Sequence, residues 1–135
     1  MDTKHRLAGD AVTGLVAAIG LHAILIFMAF AWVAIYSHGI DPGHDQAFYE
    51  AYAMRSSPVV STVAGGPVFF LVARWLARRR GNGRAAWIGT AIYMASEIIL
   101  LVAVGAIASW LALVALAGGL LKIAGTALGV RRALA

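Results

Sequence analysis

Only two charged residues, Glu97 and Lys122, interrupt the 46 residues from Ala85 to Val130. A stretch this long and this apolar exceeds what one crossing of a ~30 Å hydrocarbon layer needs, and suffices for two. Two further apolar runs precede it, about Ala11 to Tyr36 and about Pro58 to Ala77. In lipid every backbone polar group must be satisfied within the segment, so such runs fold as helices. The sequence therefore predicts an all-α integral membrane protein. Its spans are about 11–36, 58–77, 85–106 and 108–129, joined up-down-up-down in one domain of residues 1–135. A tight hairpin near Gly105–Trp110 divides the last two. The segment 37–57 is expected to form an outer loop. In it, Asp45 caps a short interfacial helix over Gln46–Met54, and Ser57-Pro58 opens the second span.

Composition agrees with this class. Hydrophobic residues make up 61% of the chain and charged residues 13%, whereas soluble domains are nearer half apolar and a quarter charged. The net charge of +5 does not indicate nucleic acid, because the basic residues cluster at the ends of apolar runs. Lys4, Arg6, Arg74, Arg78, Arg79, Arg80, Arg84, Lys122, Arg131 and Arg132 fall on one side, and Arg55 alone on the other. The positive side is cytoplasmic, which puts both termini inside and suggests a multi-pass protein of a bacterial inner membrane. Lys4 and Arg6 ahead of an apolar run resemble a signal peptide. The run is too long for one and no small-x-small site follows it, so it is expected to be retained.

Chemistry is sparse. The absence of cysteine excludes disulfides and thiolate catalysis. No phosphate-binding glycine loop, zinc-protease His-Glu-x-x-His or nucleophile elbow occurs. His38, Asp41, His44 and Asp45 in the outer loop match no metal-site spacing, and His22 alone within a span does not suit bis-His haem ligation. Neither metal nor cofactor is expected.

What remains is a convergence at one depth. Counted from the positive side, His22 lies ~15 Å up span 1 and Glu97 ~18 Å up span 3. Counted from the other side, Gly65-Gly66-Pro67 lies ~12 Å into span 2 and Gly118-Gly119 ~15 Å into span 4. A carboxylate at this depth is costly and commonly functional. Tyr93 and Thr90 share its helical stripe. His22 is the expected partner of Glu97. Gly65-Gly66-Pro67 is expected to kink or break span 2 and so free backbone carbonyls near the site. Lys122, one turn below Gly118-Gly119, is expected to snorkel toward the headgroups, the alternative being a pair with Glu97. Ala117, Leu121, Gly125 and Gly129 follow one stripe, and Gly125-x-x-x-Gly129 matches the close-packing pattern. With Gly118 and Gly119 as further helix-packing residues, this suits either a dimer face or a contact within the chain.

These residues point to translocation or binding of a small solute or ion at a protonatable carboxylate, with His22, Tyr93 and Thr90 around Glu97. Four short helices enclose little volume, so a homo-oligomer is expected. The alternatives are an accessory subunit docking a larger membrane complex through its small-residue face, and an acid–base enzyme acting on a lipid or isoprenoid.

Overall fold

A computed structural model describes residues 3–105 and 109–135. The described residues form four helices: α1 (Thr3–Ile35), α2 (Gln46–Arg80), α3 (Arg84–Ala103) and α4 (Trp110–Leu134). A π-turn over Tyr36–Ile40 extends α1. All four helices are long and apolar enough to cross a membrane. Their outward faces are apolar: Phe27, Phe30, Ile99, Leu113 and Leu116 are all exposed. The expected tight hairpin is described only at its edges, because residues 106–108, including the expected ends of the third and fourth spans, lie outside the described residues. Gly105 turns in the left-handed region at φ +67°, and Ser109 is the N-cap of α4.

The second helix begins earlier than the sequence suggests. Asp45 does cap Gln46, its carboxylate accepting the Phe48 amide at 2.9 Å. The helix then continues for 35 residues through both Pro58 and Pro67. No separate interfacial helix forms, and Ser57 is no N-cap. Its hydroxyl donates to the Ala53 carbonyl at 2.6 Å, a back-bond of the kind hydroxyl residues make inside helices. Each proline removes one amide, yet ending the helix would leave several backbone groups unpaired, so membrane helices tolerate proline. The non-helical connection shrinks to Asp41–Asp45. Because α2 rises past this connection, its first turns pack on the end of α1. Trp32 Nε1 donates to the Tyr52 hydroxyl at 2.9 Å, and Tyr36 stacks on Tyr52 with ring centroids 3.8 Å apart.

Pairing within the bundle follows the small residues. The most extensive contacts join α2 to α4 and α1 to α3. In both pairs residue numbers rise together along the seam, so each pair is parallel. Along α2 and α4, Thr62 meets Gly118, Gly66 meets Gly125 and Phe70 meets Gly129. A methyl on Gly125 would collide with the Gly66 carbonyl, and one on Gly129 with the Phe70 carbonyl. Glycine is required here because backbone touches backbone. Along α1 and α3, a methyl on Gly89 would sit 2.9 Å from the Gly14 carbonyl. Consequently the stripe Gly118, Gly125 and Gly129 is buried inside the chain, and Gly119 faces Met94 of α3.

The bundle is closed at the end where the arginines gather. Asp10 is 3% exposed and takes Arg80 Nη2 at 3.0 Å and Arg80 Nε at 3.1 Å, tying the start of α1 to the end of α2. Buried Ala73, Leu76 and Ala86 fill the space above. At mid-depth Leu21, Leu25, Phe69 and Tyr93 form a second cluster. Beyond this layer α3 and α4 touch little, and the bundle opens.

Candidate ligand site

A cavity of about 580 Å³ occupies the opened half of the bundle and is lined by all four helices. Its size suits a small organic molecule. Its polarity is graded. His22, Tyr93, Ser96, Glu97 and Lys122 lie at the inner end of their respective lining segments, whereas Ala29, Val104 and Leu111 line the outer end. The polar groups thus form a floor at mid-depth beneath largely apolar walls.

The floor centres on an ion pair. Lys122 Nζ donates to Glu97 Oε1 at 2.5 Å. Lys122 is 1% exposed and so does not snorkel, contrary to the expectation from its position. The reason is local: Gly65 of α2 leaves the lysine stem a slot. A methyl at Gly65 would lie 2.8 Å from Lys122 Cε and 2.9 Å from Cγ. The ammonium also lies over the Tyr93 ring, 4.9 Å from its centroid. Glu97 Oε2 is buried without a hydrogen-bond partner.

His22 reaches the same floor by another route. Its Nε2 meets the Ser96 hydroxyl at 2.8 Å, and its ring lies on Tyr93 with centroids 4.1 Å apart. The partner is therefore Ser96, the neighbour of Glu97, and not Glu97 itself. Nδ1 faces the Ala18 carbonyl at 2.8 Å. A carbonyl only accepts, so Nδ1 carries a proton, and Nε2 meets Ser96 as acceptor in the neutral ring or as donor in the doubly protonated one. The Ser96 hydroxyl donates to the Tyr93 carbonyl at 2.7 Å.

Of the residues singled out from the sequence, the structure brings Glu97, His22 and Tyr93 to the cavity. Thr90 is fully enclosed below it, its hydroxyl 2.8 Å from that of Thr126, where it links α3 to α4. Gly65, Gly66 and Pro67 do not line the cavity. The helix is unbroken there, and the Gly66 carbonyl is packed on Gly125 instead of facing a site. Lys122 and Ser96 are the floor residues that helical depth alone left unassigned, although Lys122 paired with Glu97 was the alternative open to it. Among the described residues no three His, Asp or Glu side chains gather as metal ligands would. His44 pairs with one carboxylate among the described residues, Asp41, at 3.2 Å, and stacks on Phe48.

Comparison with known proteins returns no family model, no curated protein and no solved structure that matches this chain.

Proposed function

We propose that this chain is a multi-pass protein of a bacterial inner membrane, with both termini cytoplasmic, that binds a small solute in its mid-depth cavity and carries it across the bilayer. The Glu97–Lys122 pair is the polar group the solute meets. The observation that carries this reading is the placement of a buried ion pair on the floor of a cavity large enough for a ligand. An ion pair kept only for packing gains nothing from a cavity above it, and hydrophobic replacement of such pairs is often neutral or stabilising.

A second observation bears on the rivals. The glycine stripe of α4, which would have been the docking face of an accessory subunit, is consumed by α2 within the chain. All four helices of one chain line the cavity, so this reading does not by itself require an oligomer.

Occupancy tests the reading. In reconstituted vesicles, a neutral long-chain alcohol bearing a diazirine should crosslink to buried cavity residues such as Leu25 and Tyr93, and Ala115→Trp should abolish that labelling by filling the cavity. Labelling confined to lipid-facing residues such as Phe27 and Leu113, and insensitive to Ala115→Trp, would remove the ligand-site reading.

A further inference from the structure

The two members of the ion pair are unequally placed. The Lys122 side chain is 2% exposed and that of Glu97 22%. A molecule in the cavity therefore meets the Glu97 side chain before the ammonium, although Glu97 Oε2 is covered and without a hydrogen-bond partner. The lysine stem is held from the far side by the slot at Gly65. Two aromatic rings flank the approach: Tyr93, already facing one cation, and His22 stacked on it. Aromatic faces attract cations through their quadrupole. Above them the walls are Leu25, Ile26, Leu100 and Leu101, which suit an apolar body.

We infer that the cavity takes an amphipathic monovalent cation whose head replaces Lys122 at Glu97, and that Lys122 releases its proton in exchange. This rests on the reading of the cavity as a ligand site and names its occupant. Charge balance drives the exchange. Glu97 and Lys122 together are neutral. A second cation against the same carboxylate would leave one uncompensated positive charge among apolar walls, which is costly at this depth. Breaking one Nζ–H bond, with the electron pair remaining on nitrogen and the proton passing to water, restores neutrality. No bond in the ligand is made or broken. The titratable groups in contact with Lys122 are Glu97 and Tyr93 on α3, and His22 on α1 lines the same cavity. From α2 the cavity receives only hydroxyls, Ser57, Ser61 and Thr62, among its polar side chains. His22 is the rival source of the proton, so its substitution belongs in the test.

The experiment is calorimetric titration of the full chain in detergent with tetraphenylphosphonium, in two buffers of different ionisation enthalpy. Tetraphenylphosphonium carries no exchangeable proton, so any proton released comes from the protein. Unmodified chain should bind it with release of about one proton per site by linkage. Triphenylphosphine oxide, a neutral analogue, should release none, and tetraphenylborate should bind more weakly than the cation. Glu97→Gln should weaken cation binding by about tenfold or more, roughly the value of one charge-assisted contact. Lys122→Met should retain cation binding, while His22→Gln should still release the proton. Cation binding without proton release by the unmodified chain overturns the exchange whether or not any variant folds. Cation binding without proton release by His22→Gln overturns the assignment to Lys122. Stronger binding of tetraphenylborate overturns the cation class. If the neutral diazirine alcohol labels the cavity while tetraphenylphosphonium fails to bind, the cation class alone is lost. If neither enters, the ligand-site reading falls with it.

Discussion

Gly65 and Lys122 occupy complementary halves of one space: a methyl on the glycine would stand 2.8 Å from the lysine Cε. A buried lysine on α4 is thus paired with a missing side chain on α2. Gly65→Ala should push the stem aside and cost ~1–3 kcal/mol, as overpacking does. In a Lys122→Ala background the same substitution should cost close to nothing. A double-mutant cycle followed by denaturing-detergent titration measures the coupling. Equal costs in both backgrounds would show that Gly65 is needed for α2 itself and not for the lysine.

The ion pair should behave asymmetrically under single and double substitution. Lys122→Met leaves the Glu97 carboxylate without its partner, and Glu97→Gln leaves a buried ammonium without a counter-charge. Each should destabilise by roughly 3–5 kcal/mol unless the remaining group neutralises itself by taking up or losing a proton. The double variant Glu97→Gln/Lys122→Met should recover most of that loss. Additive losses in the double variant would argue that each side chain is held by something other than the other.

Gly125 and Gly129 should be intolerant for a reason internal to one chain. Gly125→Val places a branched side chain against the Gly66 carbonyl and should unfold or splay α2 from α4. Light scattering in detergent should show the same oligomeric state before denaturation. Leu120→Val, on an exposed face of the same helix, serves as the neutral control. A variant that stays folded but changes its oligomeric state would return the stripe to a role between chains.

Thr90 and Thr126 join α3 to α4 beneath the cavity. Replacing both with valine should cost little, about 0.6 kcal/mol of coupling in a double-mutant cycle, since hydrogen bonds between membrane helices average near that value. Diazirine labelling of the cavity should persist. Loss of labelling in a stable variant would bring Thr90 back into the site.

Orientation is testable without any ligand. The arginines at the ends of α2 and α4 and the starts of α1 and α3 gather at one end of the bundle, opposite Arg55, and such clustering sets cytoplasmic orientation. Removing Lys122 from that group does not change the balance. A cysteine at Gly43 should react with an impermeant thiol reagent in intact cells, and one at Asn82 only after lysis. The reverse pattern would invert the protein.

Depth was legible in the sequence, and azimuth was not. Helical rise puts His22 and Glu97 near one level, with Tyr93 one turn from Glu97, and all three line one cavity. It cannot say which of two adjacent residues, Ser96 or Glu97, faces α1, because neighbours on a helix point ~100° apart. The structure turns Ser96 toward His22, which frees Glu97 for Lys122. Lys122 itself was ambiguous because its slot is made by a glycine 57 residues earlier, a pairing that only the α2–α4 register reveals. Thr90 shared the Glu97 stripe in sequence, yet sits two turns lower, against α4. The start of α2 was misplaced because Ser57-Pro58 has the form of a helix beginning, while the residues before it have enough helical support to continue through.

The parallel seams carry a consequence for how the chain is made. A hairpin of consecutive helices can form as soon as its second helix is synthesised, but neither tight seam here joins consecutive helices. Thr62 cannot reach the Val114 carbonyl it bonds at 3.2 Å until another 52 residues have been added. Translation from the N-terminus delivers Glu97 25 residues ahead of Lys122. For that interval the carboxylate enters the bilayer without its partner, and the last helix both neutralises the acid and locks the bundle. Truncation within α4 ahead of Lys122 therefore removes the counter-charge and much of the seam together, leaving Glu97 without its partner.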